Sequence, residues 1–171
     1  LARWRDAASR LEFPFPEPRP VQTDAMEAIE ESLTTGRHLL LAAPTGVGKT
    51  AAALYPALRL ALSSGRRLVF VTAKTLQQHL AVETLQAMQD GSWHSLQLRA
   101  KARMCAHREV ICHEEFCPFL SDMWLRQAER GVLPALLGFG PHLDPDRIFD
   151  VARAAEVCPF ETSLALIGQA T

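Results

Sequence analysis

Residues 42–50 read AAPTGVGKT, and no other stretch of the 171-residue chain restricts its folding so strongly. They lie between an apolar run (Leu39, Leu40, Leu41) and an alanine-rich helical pattern that opens at Lys49. That is a strand, a glycine-containing loop and a helix start, in the order that binds a nucleotide phosphate. Backbone N–H groups of a loop through Ala43, Pro44, Thr45, Gly46, Val47 and Gly48 can ring the phosphates. The following helix turns its positive end toward them. Lys49 is then placed to reach the β- and γ-phosphates, and the Thr50 hydroxyl to ligate Mg²⁺. The usual pattern opens with Gly where this chain has Ala43; Gly46 and Gly48 still supply the permissive dihedrals.

The rest of the composition narrows the class. A formal net charge of −1 removes any global basic signature, so nucleic-acid binding must come from a local patch. No apolar run approaches a membrane span. Residues 1–20 carry Arg3, Arg5, Asp6, Arg10 and Glu12 without an apolar core, which argues against a secretory leader. A cytoplasmic location is expected, where four cysteines read as metal ligands or free thiols and not as disulfides. A start at Leu1 and an end in GQAT suggest an excised piece.

Periodicity predicts helices over 1–11, 21–33, 49–63 and 75–88. The FPFPEPRP stretch at 13–20 is excluded from regular structure by its prolines. Gly36 and Gly65 end their helices, and Pro56 is expected to kink the one it sits in. His38–Ala42 reads as the strand feeding the phosphate loop, and the run RLVFVT at 67–72 as a buried parallel strand. This order predicts an α/β parallel sheet with right-handed crossovers. From residue 92 the character changes, and a boundary is expected near Ser95–Arg99. Beyond it, helices are expected at 119–130, 146–157 and 160–167, with a loop at 138–145.

All four cysteines fall in this second half, at Cys105, Cys112, Cys117 and Cys158, spaced C-x6-C-x4-C-x40-C. The count suits an iron–sulfur cubane or a closed zinc site. The wide spacing favours the larger object, zinc knuckles preferring tight pairs. Buried free thiols are the third possibility. His107 and His113 flank the cysteines and read as solvated side chains more readily than as ligands.

The phosphate loop, the segment VTAKTLQQHL (71–80) and the four-cysteine insertion, in that order, resemble the XPD/DinG-type helicases of superfamily 2. The resemblance covers most of the chain. KARMCAHREVICHEEFCPF (101–119) and VCPFE (157–161) look like the bacterial branch of that family's iron–sulfur domain. It implies a partial RecA-like motor domain over residues 1–98, a mainly helical iron–sulfur domain over 99–160, and the start of a return to the motor at 161–171. It implies ATP, Mg²⁺ and a [4Fe–4S] cluster, with zinc as the alternative metal. Single-stranded or forked DNA and the remainder of its own motor domains would be the partners of a monomer, moving typically 5′ to 3′.

Within FPFPEPRPVQ (13–22) the resemblance makes Gln22 the residue that hydrogen-bonds the base, with Arg19 nearby. It makes Cys105, Cys112, Cys117 and Cys158 the cluster ligands. Thr72, Lys74, Thr75 and Gln78 resemble the motif that contacts the DNA backbone, and hydroxyls, an ammonium and a helix start do suit phosphate oxygens. Thr75-x-x-Gln78 is equally a capping box, and both readings stand together. Arg99, Lys101, Arg103 and Arg108 form a basic run beside Cys105 that is suited to gripping a parting strand, or is simply a solvated face. For Trp93 and Trp124, packing is preferred over base stacking.

The family's acidic Asp-Glu-Ala-His motif is absent from the sequence, so the chain alone is expected to bind nucleotide without turning it over. A zinc-stabilised phosphate-loop NTPase and a non-enzymatic DNA-binding adaptor are the rival readings. Retention of Lys49 speaks against the adaptor.

Overall fold

The computed structural model describes residues 2–107 and 109–170; Leu1, Arg108 and Thr171 lie outside the described residues, and with them two sequence expectations, Leu1 at the start of the first helix and Arg108 in the basic run. Two compact units divide between Trp93 and His94.

The first unit contains α1 (Ala2–Arg10), α2 (Pro20–Thr35), α3 (Lys49–Ser64) and α4 (Thr75–Ala87). Leu54, Leu58 and Leu62 recur every four residues on α3, so they share one face, and that face is buried. It packs with Ala7, Ala8 and Leu11 from the α1 segment, Ala81 of α4, and Met88 and Trp93 beyond α4. Trp93 is thus a core residue, as its packing reading requires. Pro20 opens α2, where its missing N–H costs nothing. Gly36 and Gly65 close α2 and α3, as expected from the sequence.

The two expected strands of this unit are a correction. Neither 38–42 nor 67–72 carries strand pairing among the described residues. Leu40 is 98% exposed, Val69 78% and Val71 84%. A parallel strand exists only through a ladder to its neighbour, and the described residues offer these segments none.

The second unit runs β1 (Ser95–Leu96), a 3-10 turn at Lys101–Arg103, α5 (Met123–Glu129), α6 (Val132–Gly138), β2 (His142–Leu143), α7 (Pro145–Ala154), α8 (Pro159–Ala165) and a last 3-10 turn at Leu166–Gly168. Its core gathers Met104, Met123, Val132, Leu136, Leu143, Ile148, Ala152, Val157 and Leu166. The strands β1 and β2 pair in parallel, Ser95 opposite His142 and Leu96 opposite Leu143. The expected loop at 138–145 therefore contains a strand. Asp144 starts α7, its carboxylate accepting from the N–H groups of Asp146 at 2.9 Å and Arg147 at 3.3 Å, with Pro145 in the first turn. The helix expected from 119 begins only at Met123, because Asp122 takes a left-handed conformation at φ 48° that the helix cannot continue through. The sequence reading missed α6, seven residues that contain Pro134 and are preceded by Gly131.

Candidate functional site

The phosphate loop is built as the sequence requires. Gly46 and Gly48 both sit at positive φ, 80° and 79°, and Gly48 is the residue from which α3 starts. Lys49 curls back over the loop, its Nζ donating to the carbonyls of Ala43 at 3.0 Å and Pro44 at 2.6 Å. Its ammonium thus lies along the loop, next to where phosphates would be ringed. Thr50 follows in the first turn of α3, half-buried; Thr45 is exposed and Val47 half-buried.

The start of α2 closes on the same loop. Arg19 donates through Nη1 to the Gly46 carbonyl at 3.1 Å, and Gln22 donates through Nε2 to the Gly48 carbonyl at 3.4 Å. Gln22 Oε1 also accepts the Arg19 backbone N–H at 2.8 Å. Gln22 is 5% exposed, so both ends of its amide serve the loop and the α2 start. The two segments, twenty-odd residues apart in sequence, make one polar assembly.

Thr72, Lys74, Thr75 and Gln78 gather at the start of α4. Lys74 precedes the helix, and no side chain caps it. Thr72 makes the local turn instead, accepting the Lys74 N–H at 3.3 Å and donating to Gln77 Oε1 at 2.6 Å.

In the second unit the basic run separates into unlike residues. Arg99 is bound through both terminal nitrogens to Asp146 and holds that carboxyl below the usual carboxylate range. Lys101 pairs with Glu161 at 3.4 Å and lies 4.9 Å from the centre of the Phe160 ring. Burial works against its ammonium, but Cys112 and Glu161 outweigh it. Arg103 is exposed, with no ion pair among the described residues. Trp124 is 58% exposed, which corrects the packing reading for that residue.

The four thiols are all free of disulfides. Cys117 is buried, Cys105 and Cys158 half-buried, and Cys112 exposed. Cys105 lies 3.7 Å from the Glu109 carbonyl. Cys158 precedes α8; burial pushes its thiol up, the N–H groups of Glu161 and Phe160 pull it back, and Cys117 adds to the rise. Among the described residues, no three His, Cys, Asp or Glu side chains stand in metal-holding geometry. The donor chemistry fits a thiolate-held group, while the sulfurs are not gathered around one centre. The buried polar residues of this unit, Gln127 and Thr162, left no signal in the residue pattern, because each sits in a short helix among apolar neighbours.

Among the described residues, no helix is long and apolar enough to cross a membrane. No solved structure matches the chain. Over 70 residues the chain is 39% identical to the protein named "Probable ATP-dependent helicase MJ0942" of Methanocaldococcus jannaschii, an overlap of 41% of this chain and 10% of that protein. The chain thus spans about a tenth of the length of that curated relative. The family model for DEAD/DEAH box helicases matches residues 19–111, which run from Arg19 through the phosphate loop to Ile111 and make up more than half of the chain. A mainly helical chain with a small two-stranded parallel sheet is compatible with part of a RecA-like domain. The chain belongs to the DEAD/DEAH box helicase family.

Proposed function

We propose that this chain is the N-terminal portion of an ATP-dependent DNA helicase of the XPD/DinG type, moving 5′ to 3′. The observation that carries the reading is the phosphate loop: Lys49 laid along it, two glycines at positive φ, and Arg19 and Gln22 closing on it from α2. The triphosphate would bind over Thr45–Gly48, with Lys49 on its β- and γ-oxygens and Thr50 on Mg²⁺. Arg19 and Gln22 would set the loop and meet the base. Thr72, Lys74, Thr75 and Gln78 would meet the backbone of single-stranded DNA, and Arg103 would add a second phosphate contact.

Cys105, Cys112, Cys117 and Cys158 would hold a [4Fe–4S] cluster, which when bound crosslinks a segment of short helices. Support comes from four unbridged thiols within one unit, the count such a cluster takes. The carboxylate that activates water is not in this sequence, so the chain binds ATP weakly and does not turn it over.

A fluorescent ATP analogue titrated into the chain, with an ATPase assay in single-stranded DNA, tests the motor reading. Binding that disappears in Lys49→Ala, with no turnover in either protein, is expected. Robust turnover abolished by Lys49→Ala would overturn the assigned division of labour. Brown protein with a broad visible band is expected from anaerobic expression; colourless protein containing zinc would replace the cluster by the rival metal.

A further inference from the structure

Two residues at the start of α2 hold carbonyls of the phosphate loop. Arg19 donates to the Gly46 carbonyl at 3.1 Å, and Gln22 to the Gly48 carbonyl at 3.4 Å. The Gly48 carbonyl also accepts the first backbone bond of α3, from the Ala52 N–H at 3.2 Å, so Gln22 takes its second lone pair. Lys49 holds the carbonyls of Ala43 and Pro44. Four loop carbonyls are therefore turned toward side-chain donors.

A trans peptide unit is planar, so its C=O and the N–H of the next residue point in opposite directions. Holding the Gly46 carbonyl on Arg19 turns the Val47 N–H away from that side chain. Holding the Gly48 carbonyl on Gln22 does the same for the Lys49 N–H. Successive N–H groups set this way form a concavity for an anion, whereas a carbonyl swung round would repel one. The glycines make the restraint necessary. Gly46 and Gly48 sit at φ 80° and 79°, and a glycine leaves such a well at little steric cost, so the peptide planes need an outside hold. Gln22 is suited to give it. It is 5% exposed, and its Oε1 is fixed in turn by the Arg19 N–H at 2.8 Å. A buried amide bonded at both ends cannot swing without leaving a polar group unpaired.

We infer that Arg19 and Gln22 are positioning residues for the phosphate end of the site. They set the Val47 and Lys49 N–H groups toward a triphosphate, and so govern the binding of a triphosphate that carries no base at all. This rests on the phosphate-loop reading above, in which the same two residues also meet the base, and a base-free ligand separates the two roles.

Inorganic tripolyphosphate and ATP, each with Mg²⁺, are titrated into the isotope-labelled full chain and followed by calorimetry and by backbone amide spectra. In the parent, both ligands should bind and shift the Val47 and Lys49 amide signals downfield. Gln22→Met keeps side-chain length and net charge while removing both amide bonds. It should weaken tripolyphosphate and ATP by the same factor, roughly tenfold, and shrink both amide shifts at saturation. Arg19 is exposed, so Arg19→Met decides the matter where Gln22→Met fails to fold. Its loss of tripolyphosphate affinity should persist at high salt, where the missing charge counts little. A loss confined to ATP, with tripolyphosphate affinity and the amide shifts unchanged, overturns the proposal and leaves the two residues as readers of the base alone. Parent protein that binds neither ligand would instead overturn the phosphate-loop reading, and the proposal with it.

Discussion

The Gln22 amide occupies the space that a Cβ on residue 48 would need, and the same amide donates to the Gly48 carbonyl at 3.4 Å. Gly48 is thus required twice, once by its φ of 79° and once by its neighbour. Gly48→Ala should destabilise the first unit by about 1–2 kcal/mol through the left-handed backbone alone, with a further loss from the displaced amide. Nucleotide affinity should fall with it. The double variant Gln22→Ala/Gly48→Ala should recover the second part and not the first. A double-mutant cycle in urea, read beside titration with a fluorescent nucleotide, measures both; strictly additive losses would mean that the two residues do not meet.

The loop's own path was legible because the residues that shape its backbone are local, while the closure by Arg19 and Gln22 comes from 26–27 residues away. Gly46, Gly48 and Lys49 act through dihedrals and contacts within a few residues. Helix ends at Gly36 and Gly65 were legible for the same reason. The strands were not. Leu39–Leu41 and Val69–Val71 have the composition of buried strands, but composition does not supply a ladder, and both runs stand exposed. In the other direction, β1 and β2 pair residues 47 apart over two positions each, too short to leave a periodic trace. The cysteines gave a count and a spacing. The buried bond from Gln127 to Thr162 ties α5 to α8 across 35 residues, and the cysteine spacing encodes none of it.

Arg99 and Arg103 should respond differently to charge reversal although only four positions separate them. Arg103 is exposed and has no ion pair among the described residues, so Arg103→Glu should weaken single-stranded DNA binding and lower the slope of log affinity against log salt by about 1. Arg99 is already committed to Asp146. Arg99→Glu should act mainly on that ion pair, worth about 0–1 kcal/mol at a site this exposed. Binding isotherms from low to moderate salt separate them. An unchanged slope in Arg103→Glu would remove it from the DNA-contact set.

The two cores make separate predictions. Ile148 is fully buried in the second unit and Leu58 nearly so in the first. Each truncation to Ala should cost about 2–5 kcal/mol, the spread reflecting how far the cavity collapses. Amide exchange should rise in 132–157 for Ile148→Ala and in 49–64 for Leu58→Ala. Equal rises across residues 2–170 in either variant would show that the cores do not unfold independently.

His142 provides a pH test of the β1–β2 pair. Its Nδ1 lies 2.8 Å from Ser95 Oγ, and burial pushes the imidazole below its ordinary value while the Asp144 charge works weakly the other way. In the unfolded chain the group titrates near about 6.5. Between that value and the lower folded one, the unfolded state binds the proton that the folded state refuses, so stability must rise with pH there. The contribution is complete above about pH 6.5 and is lost as pH falls through that value toward the folded one. His142→Gln keeps a side chain able to bond Ser95 and removes the titration. The difference in urea midpoint between parent and variant should then shift against the parent on acidification from pH 7.5 to 5. Asp146, common to both proteins, is held below the usual carboxylate range by Arg99 and cancels in that difference. Parallel curves would mean that His142 takes its proton equally in both states, and that burial at the strand pair does not govern it.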